Sequence, residues 1–284
     1  MKFPTPTTFA TLLLLLSISS SVCATESTTS NQQGHGSHSL SSSDPIVDVV
    51  LRQLTPTISQ ALQSALPECY GGGKAGCTKG SAKHGYVYRK HKKWAYKVYA
   101  AHVDGINTLS TDTISLGESN DGRLQLVAHG TYPKKALATD IYVGECFTFD
   151  KCSKIWHNND NFQGGHAVKL TLTFDCEGDG LFALTSESNV SIEIAPPLVI
   201  HESVGKIHFD VMSITAEVKK ALKGLLLKEM EADIVPIPLP LKHIIPLPEK
   251  IAVTDIPNLL AKVSDGIASK CRPGKHAVLE SNDS

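Results

Sequence analysis

Arg123-Leu124-Gln125-Leu126-Val127-Ala128-His129-Gly130-Thr131-Tyr132 is the stretch on which the fold turns. Leu124, Leu126 and Ala128 alternate with Arg123, Gln125, Val127 and His129. That is the two-residue period of a strand with one face on a core. Just upstream, Asn120-Asp121-Gly122 is a strong hairpin turn, because asparagine, aspartate and glycine tolerate the positive φ such turns need. Outward from here the chain reads as strand after strand, over 94–103, 109–116, 138–149, 167–175, 181–186, 189–194 and 199–211. Val168, Leu170, Leu172 and Phe174 repeat the alternation, and Glu177-Gly178-Asp179-Gly180 supplies another hairpin turn.

Helices flank the strands. Asp44-Pro45 is an N-cap followed by proline at the first helical position. From Ile46 to Leu66 aliphatic residues recur at three- and four-residue spacing, with Pro56 expected to kink the helix or restart it at Thr55. A second amphipathic helix is expected over 214–231. Residues 235–248 carry five prolines and read as extended, without helix. A third helix is expected over 257–268. Strands grouped between helices, without βαβ alternation, predict an α+β domain with antiparallel pairing.

The 284 residues are 41% hydrophobic and 19% charged with a net charge of −1, enough apolar content for a sizeable core and too little basic excess for a general nucleic-acid binder. No apolar run reaches the length of a membrane span. Lys2, the apolar run from Phe9 to Ile18 and the small residues Val22-Cys23-Ala24 have the layout of a signal peptide. The expected organisation is a signal peptide over 1–24, a Ser/Thr-rich disordered leader over 25–43, one domain over 44–271 and a flexible tail over 272–284. The chain would then be secreted.

Six of the seven cysteines remain after such cleavage: Cys69, Cys77, Cys146, Cys152, Cys176 and Cys271. In an exported chain they read as disulfides. Short separations favour Cys69–Cys77 and Cys146–Cys152, leaving Cys176 to reach Cys271. A zinc site is disfavoured because no C-x-x-C pair occurs. Asn189-Val190-Ser191 is a glycosylation sequon.

Several chemical motifs fail on context. Gly71, Gly73 and Gly76 match a dinucleotide fingerprint but sit inside a cysteine-bracketed loop with no preceding strand. Asp175, Glu177, Asp179 and Gly180 resemble the start of a calcium loop, yet Glu177 is off-pattern and Ser186 stands where a bidentate acid belongs. His201-Glu202 lacks the second histidine of a zinc protease. A Ser–His–Asp triad assembled from distant segments leaves no local signature. His102, His129, His157, His166 and His201 are available to one, and His166, after Gly164-Gly165, is the first candidate. We expect no cofactor, no metal and no enzymatic activity.

Residues 70–97 carry Lys74, Lys79, Lys83, Arg89, Lys90, Lys92, Lys93 and Lys97 with no acid among them. They read either as a solvated loop or as a contact for anionic membranes or polyanionic matrix, with Arg89, Lys90, Lys92 and Lys93 as the contacting residues.

Val103-Asp104-Gly105-Ile106-Asn107-Thr108-Leu109, followed by the Arg123–Tyr132 strand, resembles the tubular lipid-binding superfamily. That superfamily includes bactericidal permeability-increasing proteins, insect takeout and juvenile-hormone-binding proteins, and mite group 7 allergens. Its members share a V-x-G-L/I-x-x-L strand and an L-x-L-x-x-x-G-x-Y strand, with an amphipathic helix before them and a helix after the sheet. The similar order here spans about residues 44–231. The resemblance implies long amphipathic helices packed in a strongly curved antiparallel sheet, in one disulfide-stapled domain. It also implies a non-enzymatic binding protein whose elongated apolar tunnel takes a hydrophobic small molecule or lipid. Val50, Leu54, Leu62, Leu126, Leu170, Leu172, Leu222 and Leu226 are the expected lining. The rival readings are a secreted surface or matrix protein acting through residues 74–97, and a secreted hydrolase.

Overall fold

A computed structural model describes residues 44–72, 77–78, 87–92, 96–146, 152–162, 164–177, 180–200, 203–204, 207–208, 212–242 and 248–271. The expected signal peptide, leader and tail lie outside the described residues.

Helix α1 (Pro45–Ala65) begins where the sequence places it, with Asp44 Oδ1 accepting from the Ile46 N–H at 3.0 Å. It neither breaks nor restarts at Pro56. The apolar stripe continues across the proline, with Leu54 and Ile58 both buried. The hydroxyls of Thr55 and Thr57 bond back to the carbonyls of Leu51 and Leu54, both at 2.8 Å.

The strands that follow are β1 (Cys69–Gly71), β2 (Tyr88–Lys92), β3 (Tyr96–Asp104), β4 (Ser110–Glu118), β5 (Leu124–Tyr132), β6 (Ala138–Cys146) and β7 (Cys152–Asn161). After them come β8 (His166–Thr173), β9 (Asp175–Cys176), β10 (Phe182–Ala183) and β11 (Val190–Ala195). In one sheet β3 has β1 and β2 along one edge and β6, then β7, along the other; a second sheet has the order β11-β8-β5-β4. All pairings within the two sheets are antiparallel. The chain passes between the sheets three times, from β3 to β4, β5 to β6 and β7 to β8.

The three crossings form a bonded corner. Phe162 N–H donates to the Leu137 carbonyl at 3.1 Å, and the buried Tyr132 hydroxyl donates to the Ile106 carbonyl at 3.3 Å. Gly105 has φ +82°, and a Cβ there would stand 1.9 Å from the Ala136 carbonyl oxygen, so only glycine fits. Gly130 meets the Ser110 carbonyl in the same way, at 2.2 Å. The two short sequence motifs therefore pack against each other at this corner.

In the second sheet one face is largely apolar: Leu126 lies opposite Leu172, Ala128 opposite Leu170, and Val190 and Ile192 lie beside them. The other face carries Gln125, Thr171 and Glu193. Helix α1 packs on β4, and helix α2 (Thr215–Met230) packs on β11. Buried apolar residues from Val47 to Cys271 form one cluster.

This mixed architecture of helices and antiparallel sheets departs from the expected long helices in one strongly curved sheet. Among the described residues the strands divide into two main sheets with small two-stranded ladders, and three of the five α-helices have four to six residues. Those three are α3 (Leu239–Lys242), α4 (Ile256–Ala261) and α5 (Asp265–Ala268). Helix α3 forms inside the proline-rich segment because Pro240 falls in its first turn, where the missing N–H has no intrahelical acceptor. The third expected helix divides into α4 and α5 because Ser264 caps a new start, its Oγ accepting from Ile267 N–H at 3.4 Å. Ser264 also hydrogen-bonds Asp44 and holds that carboxyl below the usual range, so the start of α1 meets the C-terminal helices. The strand expected over 199–211 is instead folded back, with Val199–Ile200 pairing Met212–Ser213 and Ser203–Val204 pairing Ile207–His208.

Cys69–Cys77 and Cys176–Cys271 are disulfides, and the β6/β7 register sets Cys146 opposite Cys152. Disulfides of this kind belong to chains that mature in an oxidising compartment. Among the described residues no helix is long and apolar enough to cross a membrane. The C-terminal segment is also held by Asn258, whose side chain accepts from Phe182 N–H at 2.8 Å and donates to the Phe182 carbonyl at 2.9 Å.

Asp175 ties three turns together. Arg123 Nη1 stands 3.0 Å from its Oδ1, Asn189 Nδ2 donates to Oδ2 at 2.7 Å, and the Thr185 hydroxyl also donates to it. The Thr185 hydrogen bond, followed by those of Arg123 and Asn189, holds the Asp175 carboxyl below the ordinary range. Its stabilising contribution is thus present above that range and lost as pH falls through the lowered folded value. In chemical unfolding followed over acid pH, Asp175→Asn is expected to flatten the loss of stability below about pH 4 relative to wild type. Replacing Cys176 and Cys271 by serine is expected to cost about 2–5 kcal/mol in the same measurement, since the pair closes a separation of 95 residues.

Candidate functional site

The candidate site is the apolar interior over which the second sheet and the two longer helices meet. Alternation along β5 and β8 turns Leu126, Leu170 and Leu172 to one face, and helical spacing does the same for Val50, Leu54 and Leu62 on α1 and Leu222 and Leu226 on α2. All eight are buried, none more than 7% exposed, and all belong to the same cluster. The structure thus places all eight expected lining residues in the buried apolar core.

Gln53 Oε1 on α1, Glu217 Oε2 on α2, His102 Nδ1 and His166 Nε2 are buried and have no hydrogen-bond partner among the described residues. Neither Gln53 nor Glu217 stands out in the sequence, because each lies on the margin of an apolar stripe where a polar residue is ordinarily solvated. Burial, with a smaller contribution from the Glu217 charge, raises the Tyr88 hydroxyl above its usual range.

Five histidines were candidates for catalysis. His129 is exposed on the polar face of β5. His157 is on β7, and His201 lies outside the described residues. His102 is buried beside two acids, with Nε2 3.4 Å from Asp104 Oδ2 and 3.9 Å from Asp140 Oδ2. The Thr139 hydroxyl donates to the His102 backbone carbonyl at 2.7 Å. His166 is buried, its Nδ1 2.8 Å from the Pro196 carbonyl oxygen and its ring edge-on to Phe162. Among the described residues neither ring is bonded to a serine, threonine or cysteine side chain.

The basic segment divides. Arg89, Lys90 and Lys92 are on β2, at the margin of the first sheet, while Lys74, Lys79, Lys83 and Lys93 lie outside the described residues. Lys97 is not a surface charge: it is 1% exposed on β3, flanked by β2 and β6. A basic edge strand also has a purely structural rationale, since charge there discourages pairing with another chain.

The acidic turn at 175–180 is a hairpin in which Gly180 N–H donates to the Glu177 carbonyl at 2.9 Å. Asp175 is occupied by Arg123, Thr185 and Asn189, away from any loop-centred cation. Asn189, the sequon asparagine, is half-buried at the start of β11. Cys69 and Cys77 lie with Asp104 at metal-ligand spacing, but the two sulfurs are bonded to each other and unavailable as thiolates.

No protein-family model matches the chain, and no curated protein matches it.

Proposed function

We propose that this chain is an exported, non-enzymatic binding protein for a hydrophobic small molecule or lipid, held along the apolar interior between α1, α2 and the inner face of the second sheet. One observation carries the reading: eight aliphatic residues, from two helices and two strands far apart in sequence, converge on a single buried cluster. The sheet arrangement supports it. Strands that continue from one sheet into the next around a bonded corner offer a longer inner face than a single short sheet, suited to an elongated acyl or isoprenoid chain. In this reading α1 and α2, packed on β4 and β11, cover the apolar face of the second sheet.

Affinity would come from removing ligand hydrocarbon from water, at about 0.8 kcal/mol or roughly fourfold per CH₂. A histidine ring bonded to a serine, threonine or cysteine side chain would favour a hydrolase instead, and among the described residues neither His102 nor His166 is so bonded. Contact with an anionic surface through Arg89, Lys90, Lys92 and Lys93 would be a separate property of the basic segment, weakened by salt because exposed charges are screened over about 8 Å at physiological ionic strength.

Native mass spectrometry of the purified protein, before and after organic extraction, tests the proposal. The expected result is a bound hydrophobic molecule that extraction removes and that long-chain alcohols, acids, esters or sterols replace, unchanged at high salt. Replacing Arg89, Lys90, Lys92 and Lys93 by glutamine should leave this uptake intact. A protein that neither carries nor takes up any such molecule overturns the carrier reading. Uptake lost with the four cations and with salt assigns binding to the charged segment.

A further inference from the structure

We infer that His166 is the polar anchor of this interior and that the ligand it selects is a long-chain or isoprenoid alcohol. The inference rests on the binding function proposed above and specifies its ligand class.

Along β8, His166 shares a face with Val168, Leu170 and Leu172, so its ring belongs to the apolar row and not to the polar outer face. It is 5% exposed. Across the ladder its partner is Tyr132, the last residue of β5, so these two rings end the apolar floor at the corner between the sheets.

The protonation pattern of the ring follows from its contacts. Nδ1 is 2.8 Å from the Pro196 carbonyl oxygen, and a carbonyl only accepts, so Nδ1 carries the proton. In the neutral ring Nε2 is then a lone-pair acceptor. That atom is buried and receives no hydrogen bond from any described residue. Tyr132 does not satisfy it, because the tyrosine hydroxyl donates to the Ile106 carbonyl. A buried acceptor left without a donor is rare in native proteins, and such an atom is a ready partner for a donor.

The group that satisfies Nε2 of the neutral ring is a donor, and in a hydrophobic ligand it is attached to an apolar body. An alcohol supplies one O–H. A carboxylate, a methyl ester and an ether only accept, and each would set lone pairs against Nε2. The Pro196 contact fixes the ring, and Phe162, 6.1 Å away and edge-on, packs beside it, so the acceptor is held in place before a ligand arrives.

Competition against a fluorescent apolar probe on the full chain decides the matter, with hexadecanol, its methyl ether and palmitate as ligands. The wild type is expected to bind the alcohol about tenfold more tightly than the ether, the worth of one net hydrogen bond, and palmitate no better than the ether. His166→Phe is expected to bind alcohol and ether equally, near the wild-type affinity for the ether. Equal affinity for alcohol and ether in the wild type, or a preference that survives His166→Phe, overturns the anchor while leaving the carrier reading in place. Binding of none of the three removes both. Should His166→Phe not fold, nitrogen NMR on histidine-labelled wild type replaces it: the Nε2 resonance of His166 shifts on adding hexadecanol and not on adding the ether, and an unmoved resonance overturns the proposal.

Discussion

The arrangement of this protein depends on how three strand pairs turn the corner from one sheet to the other. A continuous antiparallel ladder cannot change direction without leaving peptide groups unpaired, and unpaired buried peptide groups are costly. Here the cost is met locally. The Leu137 carbonyl is taken by Phe162, the Ile106 carbonyl by the Tyr132 hydroxyl, and Gly105 and Gly130 let two backbones approach closer than any side chain would permit. Because these contacts join residues from all three crossings, the two sheets hold a set relation to each other. The second sheet then offers the apolar row of Leu126, Leu170, Leu172 and Ile192, and α1 and α2 pack on that sheet.

That constraint also explains where polar chemistry sits. Away from the corner the interior is almost entirely aliphatic, and the polar groups it contains are the margins of helical stripes or rings at the ends of strands. His166 and Tyr132 stand at such an end, where the apolar floor meets the bend. Around Asp175 charged and polar groups fasten the turns together, and Arg89, Lys90 and Lys92 fall on the edge strand β2.

Much of this is legible in the sequence, for identifiable reasons. Asp44-Pro45 and the stripe after it define α1, since a cap and a period act locally. The strands around Leu126 and Leu170 are read from alternation alone. Cys176 and Cys271 follow from pairing the nearer cysteines first. Strand β7 has no such signal: Cys-Ser-Lys-Ile-Trp-His-Asn-Asn-Asp-Asn is polar and rich in residues that disfavour strands, and it pairs only because β6 offers a full-length partner. Lys97 reads as a surface charge by composition, yet its place on an inner strand of the first sheet buries it. The unpaired atoms of Gln53, Glu217 and His166 depend on which margin of a stripe meets which neighbour. The eight aliphatic positions were visible as apolar faces, but their convergence is a property of the assembled chain.

Asn258 illustrates how a single carboxamide can stand in for a length of backbone. By accepting from the amide of Phe182 and donating to its carbonyl, it completes the border of the β9/β10 hairpin just as another peptide would. An incoming polypeptide therefore finds that position already taken, and the hairpin is withdrawn from the unwanted self-association to which open borders are prone. Few side chains could replace it, because a carboxylate lacks the donor, an aliphatic group lacks both functions, and a longer amide would need the helix that carries it to stand farther away.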